Sequence, residues 1–169
     1  YPLVTGVQTC ALPILSRLAL TLRPEQIEHM RRHLDKEDQS WRKAWLLGND
    51  ADRLKRRFKK ALEHLEDYYG GLKGEQKNAL RALLQQSPFD PELAWQERQR
   101  RQKDLLDTLE RIRSQQPEVS TAQTWLAQAY GRMLQPPVSA HQIHQAQYLN
   151  FVCDGLSKMH TLMSAEQRQ

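Results

Sequence analysis

Long apolar runs are missing from this chain: nowhere do the roughly 18 consecutive apolar residues that a membrane-spanning helix needs occur. Val and Ile are scarce, which argues against sheets, because β-branched side chains favour pleated surfaces. Glycine (7 residues) and proline (8 residues) are few and fall between apolar-periodic segments as punctuation. No glycine-rich phosphate loop and no nucleophile elbow can be found. The bulk of the sequence is Leu, Ala, Gln, Arg, Glu and Lys, all good helix formers.

With 39% hydrophobic and 27% charged residues, the 169-residue chain is polar for a compact domain. Its mean hydropathy is −0.77. Helices that each bury one narrow stripe produce such a balance. The formal net charge of +5 permits binding to nucleic acid, acidic proteins or anionic membrane surfaces and selects none of them.

The opening segment, Tyr1–Ile14, contains no charged residue, whereas the rest is densely charged. Within it, Val4–Ile14 resembles the translation of a sequencing-library adapter, so residues 1–14 are read as a non-native, irregular segment and set aside from the fold. Recovering the same codons from intact genomic DNA would refute this. Cys10 falls inside the segment; it lacks the small preceding residue and the basic region of a lipid-attachment cysteine. Cys153 is then the one remaining thiol, expected to be a small buried hydrophobe, and the redox compartment stays open.

Residues 15–22 read as the tail of a helix. Pro24 opens the next, with the stripe Ile27, Met30, Leu34, Trp41, Ala44 and Trp45, and Gly48-Asn49-Asp50 ends it and caps its successor. A second helix over about 51–69 turns Leu54, Phe58, Ala61, Leu62, Leu65 and Tyr68 or Tyr69 inward, and a third over about 74–86 turns Ala79, Leu80, Leu83 and Leu84 inward. Asp90-Pro91 starts a fourth that runs to about Ser114. Ser120 caps a fifth over about 121–134. Ser139 caps a sixth over about 140–162, where Ile143, Leu149, Val152, Leu156 and Met159 are available for packing. The expectation is an all-α fold of about six amphipathic helices in an elongated hairpin array or bundle. Residues 15–169 are expected to form a single domain truncated at both ends.

One helix-start signal recurs: Leu22-Arg23-Pro24-Glu25-Gln26, Leu72-Lys73-Gly74-Glu75-Gln76 and Met163-Ser164-Ala165-Glu166-Gln167. The Glu complements the helix dipole and a polar side chain covers free backbone N–H groups. The third copy implies that a final helix was cut away.

The spacing of residues nominates few sites. His29 and His33 share a helical face, with His141 and His144 as a weaker pair, but a metal site needs three or four converging ligands, so no metal and no cofactor is expected. Asp35, Glu37 and Asp38 sit beside Arg31, Arg32, Lys36, Arg42 and Lys43 at spacings of surface ion pairs. On the fourth helix, steps from Trp95 reach Arg98, Gln102, Leu105 or Leu106, Leu109 and Ile112. A buried Arg there needs a carboxylate or carbonyl partner, either as an interhelical polar clamp or as part of a peptide-gripping groove formed with Trp95. The densest basic run is Arg53, Lys55, Arg56, Arg57, Lys59 and Lys60; with Asp and Glu at both ends, it reads first as a solvated face.

The repeated L-x-x-E-Q starts resemble an uncharacterised family of bacterial helical lipoproteins, domain of unknown function 6279. So does Pro88–Arg98, together with the Glu97-Arg98-Gln99-Arg100-Arg101-Gln102 stretch. The similarity covers roughly residues 15–169. It implies an envelope location, periplasmic and membrane-anchored through a lipid on a segment missing from this fragment, and supplies no established activity. The L-x-x-E-Q starts are also similar to the L-T-x-x-Q motifs of small periplasmic helical chaperones, with Arg23, Lys73 and Ser164 in place of the threonine.

The expected function is therefore a non-enzymatic envelope protein that binds other polypeptides, chaperone-like or scaffolding, through Trp95, Arg98 and Gln102. The alternative is nucleic-acid or anionic-surface binding through Arg56, Arg57 and Lys60. Nucleic acid is the less expected partner, because no known binding motif accompanies the basic run. The sequence does not select an oligomeric state.

Overall fold

The computed structural model describes residues 11–169, and among these every regular element is a helix. The seven helices are α1 (Leu12–Leu20), α2 (Pro24–Trp45), α3 (Asp50–Tyr69), α4 (Gly74–Gln85), α5 (Pro91–Gln115), α6 (Val119–Leu134) and α7 (Ser139–Leu162). The chain is all-α, as its periodicity predicts. The expected helix tail at residues 15–22 is α1, a helix that already starts at Leu12. Val4–Cys10, most of the segment read as foreign, lies outside the described residues. Leu12–Ile14 form the first turn of α1, and Leu12 is buried.

The helix starts follow their local chemistry. The Asn49 Oδ1 accepts the Asp52 N–H at 2.9 Å to cap α3, and the Asp90 Oδ1 accepts the Glu92 and Leu93 N–H groups at 2.9 and 3.1 Å to cap α5. In the recurring signal the working residue is the glutamine. The Oε1 atoms of Gln26, Gln76 and Gln167 accept the N–H of Arg23, Lys73 and Ser164 at 2.9, 2.7 and 3.0 Å. Each reaches back to the residue before its helical turn, as in a capping box. Ser120 is not the cap of α6. That helix begins two residues earlier behind Glu118, without a side-chain cap, where exposure of residues 118–120 leaves water to cover the first N–H groups.

The chain divides into two compact units. The first comprises the described residues up to Gln39 together with Gln96–Ser139. Its core joins Leu12 and Ala19 of α1, Ile27 of α2, Leu106, Leu109 and Ile112 of α5, and Ala122 and Leu126 of α6. Ile112 is fully enclosed.

The second unit comprises Ser40–Trp95 and Ala140–Gln169. Its core is Leu65, Leu72, Leu80, Met159 and Met163. The expected packing residues of α7 are here corrected. Met159 is buried, but Ile143, Leu149 and Leu156 are more than half exposed. Their positions lie about a third of a turn around the helix from the buried Gly155–Met159 edge, so one face cannot cover them all. Cys153, expected inside, is likewise exposed on this helix. Gly155 marks a close approach: a Cβ placed there would lie 2.8 Å from Leu83 Cδ2 of α4.

Candidate binding cleft

In the first unit, the polar stretch of α5 turns inward and is paired. Arg98 Nε donates to Asp38 Oδ1 at 2.6 Å, and Gln102 Nε2 donates to the same oxygen at 2.7 Å. Two of the predicted binding residues thus form an interhelical clamp between α5 and α2. Asp38, read from its spacing as a surface ion-pair former, is the buried partner that Arg98 requires, with only 14% of its side chain exposed.

A neighbouring cluster escaped the sequence reading. Glu97 is buried and receives Arg100 at 2.7 Å and Arg101 at 2.6 Å. Burial pushes its carboxyl up, but the hydrogen bonds and charges of the two arginines outweigh burial and hold it below the usual range. Asp104 takes two hydrogen bonds from Arg132, at 2.9 and 2.7 Å, which hold its carboxyl down as well. The signal was present as cations three and four residues after Glu97.

In the second unit, the basic run on α3 has two uses. Arg53 donates to the carbonyls of Leu46 at 3.1 Å and Gly48 at 2.9 Å, and Arg56 donates to Ala44 O at 2.9 Å and to Leu47 O. These guanidinium groups cover a carbonyl in the last turn of α2 and three in the loop just past its negative end. Trp95 stacks on Trp41 with ring centroids 5.4 Å apart, and Arg42 lies over it. Arg57 and Lys60 instead face a cleft, with Arg57 5.3 Å from the Phe89 ring centroid and Lys60 5.2 Å from that of Trp45.

The cleft has a volume of about 470 Å³. Its walls are α3 (through Ala61, Leu65 and Tyr68), α4 (through Leu80, Leu83 and Leu84) and α7 (through Tyr148, Phe151, Val152, Leu156 and Met159). Predominantly apolar clefts of this size with a few polar groups are the usual form of ligand sites. The sequence did carry a trace of it. Between Ser139 and Leu162, only Asp154 and Lys158 bear a full charge, an unusually apolar helix in so charged a chain.

His144 does not join His141 as a ligand pair; its Nε2 accepts the Asp90 N–H at 2.9 Å. His141 is buried, and its Nδ1 has no hydrogen-bond partner among the described residues. His29 and His33 are exposed on α2. No helix among the described residues is long and apolar enough to cross a membrane.

The model of a family of unknown function, DUF6279, matches residues 3–128, well over half of the sequence. The chain belongs to this family. No curated protein and no solved structure matches it. The DUF6279 match includes α3 and α4, two walls of the cleft, while the third wall, α7, lies beyond it.

Proposed function

We propose that this DUF6279 member is a non-enzymatic binding protein that takes apolar side chains of other polypeptides into the cleft of its second unit, in a chaperone-like or scaffolding role. The observation that carries the reading is an apolar cleft of about 470 Å³ bordered by Leu156 at 53% and Tyr68 at 87% exposure. Apolar groups kept at the surface beside a concavity mark an interaction site. Glu97 and Asp104 of the first unit, held charged by arginines, serve ion pairing rather than proton transfer, for which a pKa near the operating pH works best.

Fluorescence anisotropy with a labelled, permanently unfolded polypeptide tests the reading. Leu156→Glu, at an exposed position, is expected to weaken binding about tenfold or more while circular dichroism stays unchanged. Undiminished binding in that variant, or none in the parent, would overturn it.

The rival, an anionic-surface or nucleic-acid role for α3, has less support, because Arg53 and Arg56 are engaged with backbone carbonyls. The periplasmic, lipid-anchored location implied by the family resemblance belongs to the same proposal. Fractionation of cells expressing the full-length gene tests it.

A further inference from the structure

The half-buried arginines of the first unit have carboxylates against them: Arg98 has Asp38, Arg100 has Glu97, and Arg132 has Asp104. The cleft of the second unit breaks that pattern. Arg57, Lys60 and His64 line it, and no Asp or Glu does. Neither Arg57 nor Lys60 forms an ion pair among the described residues; each lies over an aromatic ring. Arg57 is half-buried, and the nearest oxygen recorded for it is the Leu84 carbonyl at 3.5 Å, a marginal hydrogen bond. Burial pushes its guanidinium below the usual value, with Tyr148 opposing the shift. An apolar cleft with one half-buried and one exposed cation, neither ion-paired among the described residues, is complementary to an anion that brings its own apolar surface.

The spacing says what kind of anion. Arg57, Lys60 and His64 stand at i, i+3 and i+7 on one face of α3, a row about 10 Å long at the helical rise per residue. A single carboxylate, such as the head of a fatty acid, can face one member of that row. A helix with acidic residues at steps of three and four faces all of it, with its apolar stripe against α4 and α7.

We infer that the cleft selects acidic amphipathic helices: segments of another polypeptide whose apolar stripe is flanked by a row of Glu or Asp that meets Arg57, Lys60 and His64. This rests on the polypeptide-binding reading and narrows it to one partner chemistry.

The test uses the full chain and three labelled helical peptides with the same leucine stripe, flanked by Glu, Gln or Lys, followed by fluorescence anisotropy. The Glu peptide is expected to bind about tenfold more tightly than the Lys peptide. The gap should close in Lys60→Glu, an exposed position, mainly through weaker binding of the Glu peptide. Lys60→Gln, expected to narrow the gap by a smaller factor, serves if the charge reversal perturbs folding by circular dichroism. Equal binding of the Glu and Lys peptides would overturn the inference and leave the polypeptide-binding reading standing. Failure of all three peptides would overturn both. Saturable one-to-one binding of oleate that excludes the Glu peptide would overturn the inference in favour of a single-headed amphiphile.

Discussion

In the first unit, charged groups turn toward one another: Asp38 with Arg98 and Gln102, Glu97 with Arg100 and Arg101, Asp104 with Arg132. The second unit keeps outer pairs of Arg53 with Asp50, Lys59 with Glu63 and Lys77 with Glu66, but there Arg53 and Arg56 also turn to carbonyls at and just past the end of α2, and Arg57 and Lys60 turn to the rings of Phe89 and Trp45. The first arrangement closes on itself and leaves its inner charges neutralised. The second leaves cations facing an open apolar cleft. Two helical units of one chain can therefore have similar secondary structure and opposite ways of settling their charges.

The contrast can be broken most forcefully at Glu97. Glu97→Ala removes the carboxylate shared by two arginines and is expected to cost about 2 kcal/mol, less than a fully buried pair because both guanidinium groups keep some solvent. Chemical denaturation checks the size. The same ion pairs set an acid limit. The folded carboxyls of Glu97 and Asp104 lie below their unfolded values, so their stabilisation is complete above the unfolded range and is lost as pH falls below about 4 through the folded values. Amide hydrogen exchange should show α5 and α6 loosening first over that window, and the Glu97→Ala variant should respond less to acid.

A smaller effect sharpens the other side. Gln76→Ala uncovers the Lys73 N–H and should cost about 1 kcal/mol. Gln76 Nε2 also donates to Gln167 Oε1 at 2.8 Å, so a double-mutant cycle with Gln167→Ala should give a coupling of about 0.5 kcal/mol, and strict additivity would deny the link. The smallest effect has the opposite sign. His141 keeps an unpartnered buried nitrogen, so His141→Leu is expected to raise stability by about 0.5 kcal/mol in thermal unfolding.

Much of this architecture was legible because the chain repeats simple local rules. Asn49, Asp90, Gln26 and Gln76 announce helix starts, and Gln167 closes a turn, through contacts only two or three residues away. The demand of Arg98 for a partner was also legible, because an inward cation on a periodic stripe must be answered. The identity of that partner was not: Asp38 lies 60 residues away in sequence. The cleft was hidden for a related reason. Its walls come from α3, α4 and α7, and the apolar residues of α7 surround the helix, so periodicity could not say which of them would be left outside. The exposure of Cys153 was missed with them.

The glutamine pair has a consequence for chemical ageing. Gln76 uses both ends of its amide, accepting from Lys73 and donating to the Leu162 carbonyl at 3.0 Å and to Gln167. Deamidation to glutamate would keep the acceptor and turn the donor into a second acceptor, aimed at two oxygens. The start of α4 would still be covered, but its tie to the end of α7 would become a repulsion, so spontaneous loss of one ammonia could loosen that junction without any change in the gene.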